Sequence, residues 1–169
     1  GQAVSAGRSV AVDISTYYRV PDVNINGKKT TLAFGANVSN IGAKMNYTNS
    51  ADSYFIPTNI RLGAAGTMKL DNFNTLTLYI DANKLLVPTN PVYQRDSTGT
   101  IEYGADNEPI ILAGQNPNVS VPAGIFQSFN DAPLGMKEEF REIYYSGGLE
   151  YWYDNQFAIR GGYFYEHPT

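Results

Sequence analysis

The sequence predicts an all-β protein, either a transmembrane antiparallel up-and-down β-barrel or a soluble β-sandwich. Three observations predict this fold class. Apolar and polar residues alternate in six segments, short and long links alternate between those segments, and tyrosines gather near the segment ends. The link lengths and the tyrosines favour the barrel, whereas the alternation fits both folds. With 13% aromatic and 17% charged residues, the chain of 169 residues is too apolar to be disordered.

The first four strands are predicted at residues 9–19, 30–39, 59–70 and 75–83. In the first strand, Val12 and Ile14 share one face, and Asp13 lies on the other, because side chains alternate along a strand. The same alternation places Arg61 of the third strand and Asp81 of the fourth on the less apolar face. Charged residues therefore gather on one face of the predicted sheet.

The last two strands are predicted at residues 142–153 and 157–166, which form a hairpin around a turn at 153–156. Leu149 and Ile159 fall on an apolar face, with Glu150 and Arg160 on the opposite face. A soluble protein would turn the apolar face inward. A membrane barrel would turn it outward, towards lipid.

The links between the strands alternate in length. Residues 71–74 and 153–156 are short links, and the moderate link at 20–29 holds an Asn26-Gly27 turn signal. The links at 40–58 and 84–141 are long. Alternate links of an up-and-down sheet lie at the same end, so the short links share one end and the long links the other. Outer-membrane barrels have this asymmetry, with short periplasmic turns and long outer loops.

The long link at 84–141 holds six of the nine prolines and carries four basic and seven acidic residues, a net charge of −3. A structureless loop of this length is usually functional or disordered. Within it, residues 122–133 predict a short helix that presents Ile125, Phe126 and Phe129. Two interpretations stay open: a lid or plug that packs its aromatics over the barrel mouth, and a patch that binds a partner.

The composition argues against several classes of function. The absence of cysteine excludes disulfides, thiol catalysis and cysteine metal sites, and the only histidine, His167, gives no base for a Ser-His-Asp triad. We interpret Glu138 and Glu139 as solvated loop residues. The net charge of −4 without a basic stripe disfavours nucleic-acid binding. The sequence contains no run of 18 apolar residues, so no transmembrane helix is predicted. No catalytic residue, metal site or cofactor is predicted, and we expect no enzyme activity.

Four stretches resemble a known family: residues 34–48, 55–65, 78–91 and 123–166, of which the part from Ile125 to Glu166 is the most specific. They are similar to the PorV (LptO) family of type IX secretion system outer-membrane proteins. That family belongs to the wider FadL-like group of barrels with roughly 14 strands. The resemblance implies that the apolar face contacts lipid and that the charged face lines the lumen. We therefore expect residues 1–169 to be a single domain, a partial transmembrane barrel of about six strands cut from a longer protein, with a long outer loop at 84–141.

The resemblance also implies a function in protein transport. A shuttle protein of this family would span the outer membrane of a Gram-negative bacterium as a multi-pass β-barrel. It would collect cargo by the C-terminal signal domain at the translocon pore protein and deliver it to the cell-surface attachment complex that contains the sortase PorU. Outer-membrane lipid and lipopolysaccharide would surround it.

Two sets of residues are candidates for this function. Partner or cargo contacts are expected from Ile125, Phe126 and Phe129, and lumen charges are expected from Asp13, Arg61, Asp81, Glu150 and Arg160. An alternative is a FadL-like channel for hydrophobic small molecules, which the lumen charges disfavour. A soluble β-sheet binding module is a third hypothesis.

Overall fold

A computed structural model describes residues 7–45 and 53–168 of the chain. Its elements in chain order are β1 (Ala11–Ile25), β2 (Lys28–Gly42), β3 (Asn59–Lys69), β4 (Asn74–Leu85), β5 (Val92–Tyr93), β6 (Ile111–Ala113), α1 (Val121–Gln127), α2 (Met136–Arg141), β7 (Ile143–Tyr153) and β8 (Phe157–Tyr165). Six strands form one sheet in the order β1-β2-β3-β4-β7-β8, and β5 pairs with β6 in a second, small sheet. The larger sheet is open, with β1 and β8 at its edges.

The prediction of an all-β fold with six principal strands is confirmed. Closure into a barrel stays a prediction, because the described strands form an open sheet. Residues 46–48, the end of the family-like stretch at 34–48, lie outside the described residues.

β1 and β2 are longer than predicted, and the predicted link at 20–29 is reduced to two residues. The strand continues through Pro21 because β1 is an edge strand, where a residue without an N–H is tolerated. Asn26 and Gly27 then turn the chain with φ angles of 52° and 77°. A two-residue hairpin turn of type I′ requires positive φ at both positions. The turn signal at Asn26-Gly27 is thus confirmed.

The other two short links are also tight turns. Between β3 and β4, Asp71 Oδ1 accepts hydrogen bonds from the backbone N–H groups of Phe73 and Asn74, both at 2.8 Å. Between β7 and β8, Tyr153 pairs with Phe157 around a turn in which Asp154 and Asn155 have positive φ. These two turns and the Asn26-Gly27 turn follow β1, β3 and β7. Because neighbouring strands of the sheet are antiparallel, all three turns lie at the same end of it.

The register confirms the two faces of the sheet. Leu78 of β4 lies opposite Leu149 of β7, and Glu150 of β7 lies opposite both Thr77 and Arg160. On the apolar face, large side chains are open to the surroundings, with Leu78 56% and Ile80 67% exposed. Within the described residues, the buried hydrophobic side chains are Ile56, Leu86 and Ala132, and all three lie outside the sheet. The apolar face therefore has no covering layer in the part of the chain that the structure describes.

The link between β4 and β7 has more structure of its own than the one short helix predicted within it. It contains β5, β6, α1 and α2, together with isolated bridges that join Arg95 to Ile101 and Tyr103 to Pro109. The prediction of a helix at 122–133 is confirmed in its first half only, because α1 ends at Gln127. No helix in the described ranges has the length and apolar character needed to span a membrane.

The chain divides into two compact units. One unit combines the described residues up to Val12 and between 40 and 59 with residues 85–142, and so contains α1, α2 and the small sheet. The other unit combines residues 13–39 and 60–84 with the chain from Ile143, and so contains most of the six-stranded sheet.

Candidate functional site

The polar face of β7 and β8 carries one connected group of side chains. Glu150 Oε2 accepts a hydrogen bond from Arg160 Nε in an ion pair, and Glu150 Oε1 accepts one from Trp152 Nε1 at 2.6 Å. The Arg160 guanidinium also lies 5.2 Å from the centre of the Trp152 ring, within range of a cation–π contact. The carboxylate is thus held from two sides, by a cation and by an indole.

The other predicted lumen charges do not join this group. Asp81 Oδ2 accepts from Ser146 Oγ at 3.4 Å, a long hydrogen bond between β4 and β7. A side chain at Gly63 would collide with Asp81 Oδ1, so that glycine leaves room for the carboxylate. Arg61 is exposed, and no ion pair joins it to Asp81 in the described residues. Asp13 lies exposed on β1, so the five residues share a sheet without forming a single network.

The three residues predicted to contact a partner lie in and just after α1. Phe126 is 78% exposed and Phe129 48% exposed, whereas Ile125 is half-buried. The opposite side of α1 is fixed by Gly124, which is buried so closely against the Phe55 ring that a Cβ there would lie 2.7 Å from it. Because α1 packs on Phe55 through its Gly124 side, Phe126 and Phe129 remain exposed.

A group of buried carboxylates supports the chain after α1. Asp131 is fully buried, and its Oδ2 accepts from the backbone N–H of Thr89 at 3.0 Å. Within residues 7–45 and 53–168, no group donates a hydrogen bond to its Oδ1. Glu142 Oε1 accepts from Thr89 Oγ1 at 2.9 Å, and Glu139 Oε1 accepts from the N–H of Ala132 at 2.8 Å. Burial raises the pKa of Asp131, and the carboxylates of Glu139 and Glu142 add to the effect.

Glu139 is 5% exposed, so its interpretation as a solvated loop residue is wrong. The physical reason is the hydrogen bond to Ala132, which ties α2 back onto the chain that precedes it. Adjacent Glu138 makes a similar contact, accepting from the N–H of Leu134 at 2.8 Å. The two glutamates therefore anchor α2 to the segment after α1.

Sequence reasoning missed further exposed apolar residues on this segment: Leu134, Met136 and Phe140. The signal was present, because Met136 and Phe140 are four residues apart and so lie on one side of α2. In the described part of the chain, no group of three or more histidine, cysteine, aspartate or glutamate residues is arranged to hold a metal ion.

Comparison with known families identifies the chain. The family model of type IX secretion system protein PorV matches residues 1–92, which is more than half of the 169 residues. The chain belongs to the PorV family. The match includes the stretches 34–48, 55–65 and 78–91 that carry the resemblance in the sequence, whereas 123–166 lies beyond it. A search of curated proteins found no match.

Membership of the PorV family makes the chain a component of type IX secretion, and it implies association with other components of that system. The matched residues run from the start of the chain through β1 to β4 and end at Val92. The PorV match therefore rests on the first four strands of the six-stranded sheet, and the exposed phenylalanines of α1 lie outside it.

Proposed function

We propose that this PorV family chain forms part of an outer-membrane β-barrel that binds cargo proteins at the type IX translocon and shuttles them to the cell-surface attachment complex. The observation that carries the membrane part of the proposal is the exposed apolar face of the six-stranded sheet. Burying apolar surface is favourable by about 25 cal/mol per Å². Leu78 and Ile80 are among the exposed side chains on that face, and lipid is the environment that would cover them.

Strand lengths and links agree with this environment. β3, β4, β7 and β8 have 11, 12, 11 and 9 residues, and a tilted strand needs about 9–11 to cross a bilayer. The three tight turns would face the periplasm, and residues 84–141 would form an outer loop of the same single domain. Six strands fall short of the smallest transmembrane barrels, which have about eight, so the proposal requires further strands to close the sheet.

The exposed phenylalanines of α1 support the cargo part of the proposal. A few aromatic side chains that lose water on binding commonly supply most of the energy of a protein interface. Phe126 in α1 and Phe129 just after it are exposed, and α1 itself packs through Gly124 on Phe55. We propose that they contact the translocon pore protein or the C-terminal signal domain of cargo, before delivery to the complex that contains the sortase PorU.

An affinity pull-down from native envelopes tests this proposal. The full protein is tagged, and the wild type is compared with the double variant Phe126→Ser/Phe129→Ser and with Tyr103→Ser. Tyr103 is a matched control, because it is another exposed aromatic residue of the same link. We expect the double variant to lose the translocon pore protein and cargo while the control retains both. Retention of both partners by the double variant would contradict the proposal.

The same variants separate docking from a lid. If the phenylalanines dock a partner, secreted cargo falls in the double variant and the permeability of the outer membrane to small solutes stays normal. If they close the barrel mouth instead, permeability rises and secretion continues. Normal secretion with raised permeability would overturn the docking role and support the lid.

A FadL-like channel for hydrophobic small molecules is the alternative function. It would need an apolar path along the face that lines the lumen. The Glu150–Arg160 ion pair and exposed Arg61 lie on the polar face, which is unsuited to such a path. These charges count against the transport of hydrophobic small molecules.

A further inference from the structure

A second candidate site lies on the polar face of the sheet, near the end that carries the tight turns. A cavity of about 480 Å³ is lined by side chains of β1, β2 and β3, among them Arg19, Lys29 and Lys69. This volume falls within the roughly 300–1,000 Å³ of small-molecule sites. None of the secretion residues discussed above lines it, so the cavity is independent of the proposed docking segment.

The charge of the cavity is positive. Arg19, Lys29 and Lys69 contribute three positive charges, and Asp22 contributes one negative charge, which leaves a net charge of +2. In the described part of the chain, none of the three cations forms an ion pair. Like charges on neighbouring strands destabilise a sheet. A bound anion would relieve the repulsion that this arrangement creates.

Local structure holds the cations around the cavity. Lys28 Nζ donates a hydrogen bond to the backbone oxygen of Leu70 at 2.5 Å, which ties the start of β2 to the end of β3. Lys29 and Lys69, which line the cavity, are the neighbours of these two residues along the chain. On β1, Arg19 lies three residues before Asp22, whose φ is 56°.

Hydroxyl groups complete the lining. Thr31 and Thr67 line the cavity, and Thr67 Oγ1 lies 3.0 Å from Thr77 Oγ1. The ammonium and guanidinium groups present donors and positive charge to a ligand, and the hydroxyl groups can donate as well. Charge-assisted hydrogen bonds from lysine and arginine are the usual partners of phosphate and carboxylate oxygens.

We propose that this cavity binds a small ligand that carries two or more phosphate or carboxylate groups. A single anionic group would leave part of the positive charge uncompensated, because the cations come from three strands about 4.8 Å apart. The proposal concerns ligand binding and does not depend on the docking role of Phe126 and Phe129.

Calorimetric titration of the full protein in detergent, at low ionic strength, tests this site. Pyrophosphate and citrate are the probes, and they distinguish a phosphate ligand from a carboxylate ligand. The variant Lys29→Gln/Lys69→Gln is compared with Lys44→Gln/Lys137→Gln, which loses the same charge at residues that do not line the cavity. Heat-modifiable migration in detergent gels reports whether each variant is folded.

We expect saturable binding of at least one probe to one site in the wild type. Affinity should fall about ten-fold or more for each lysine replaced, because a hydrogen bond between charged groups is lost. The control variant should bind like the wild type. If Lys29→Gln/Lys69→Gln does not fold, Arg19→Gln tests the same cavity and should also weaken binding.

Three results would overturn the proposal. The first is the absence of saturable binding of both probes, and the second is an equal loss of affinity in the control variant, which would indicate a general charge effect. The third is saturable binding of an acidic peptide without binding of either small probe, which would indicate a protein ligand.

Discussion

Glu150 of β7 and Arg160 of β8 lie opposite each other in the hairpin and form an ion pair, and Trp152 donates a second hydrogen bond to the same carboxylate. The side chains of Glu150 and Arg160 are 26% and 59% exposed, so water competes with each group for the other. Exposed ion pairs contribute little to stability, with measured couplings of about 0.2–1 kcal/mol. The pair therefore contributes to the register of the hairpin more than to the stability of the fold.

A double-mutant cycle measures this coupling. Glu150→Gln, Arg160→Gln and the double variant of the full protein are unfolded with urea in lipid vesicles. We expect the double variant to be less destabilised than the sum of the two single variants, by about 0.2–1 kcal/mol. Glu150→Gln combined with Lys28→Gln serves as the control and should be additive. Additive effects in the Glu150–Arg160 cycle would show that the two residues do not interact.

The two faces of β4 should differ in their tolerance of charge. A cation on the lipid side near the midplane of a membrane costs about 2–4 kcal/mol, and lumen positions escape this cost. Leu78→Arg and Ile80→Arg should therefore reduce assembly of the full protein into the outer membrane. Thr77→Arg should be tolerated better, because Thr77 lies on the polar face opposite Glu150.

Heat-modifiable migration in detergent gels measures the folded fraction of these three variants. Thr77→Arg is the matched control, since it introduces the same side chain one residue away from Leu78. Equal loss of the folded form at positions 77 and 78 would contradict the assignment of the apolar face to lipid.

The sequence predicted the parts of the fold that follow from local rules. The six strands and their two faces follow from the alternation of apolar and polar residues with a period of two. The turn at Asn26-Gly27 could be predicted because few residue pairs adopt positive φ at both positions. The full extent of β1 could not be predicted, because Pro21 breaks most strands and is tolerated here by virtue of an edge position.

The candidate site was harder to predict because it depends on register and burial. Arg61 and Asp81 are of opposite charge on adjacent strands, yet Asp81 accepts from Ser146 and does not pair with Arg61. Glu139 reads as a surface residue in the sequence, and only its contact with Ala132 shows that it is buried. Exposure of Phe126 and Phe129 likewise depends on how Gly124 packs against Phe55.

Asp131 should make the stability of the segment around α1 and α2 depend on pH. Because burial raises its folded-state pKa above the ordinary 3.8, protonation favours the folded segment. The stabilisation is complete below pH 3.8 and is lost as pH rises through the folded-state pKa. Glu139 and Glu142, the acidic groups beside Asp131, add repulsion once the carboxyl ionises.

The variant Asp131→Asn should not lose stability in this way as the pH rises. The amide oxygen can still accept from the Thr89 N–H, and the neutral amide places no charge beside Glu139 and Glu142. A pKa raised by one unit corresponds to about 1.4 kcal/mol, so the variant should be more stable near neutral pH by an amount on that order. Hydrogen exchange of residues 121–141, corrected for intrinsic rates, measures this between pH 4 and pH 8. Faster exchange in the variant at neutral pH would contradict the prediction.

The accessibility of spin labels at positions 77 and 78 tests the central claim, that the apolar face of the sheet contacts lipid, most directly. The chain contains no cysteine, so Leu78→Cys and Thr77→Cys each introduce a single labelling site into it. In the full protein embedded in lipid vesicles, a label at position 78 should collide with oxygen dissolved in the bilayer, and one at position 77 with a water-soluble nickel chelate. The opposite pattern, or equal exposure of both labels to the nickel chelate, would contradict a lipid-facing apolar surface.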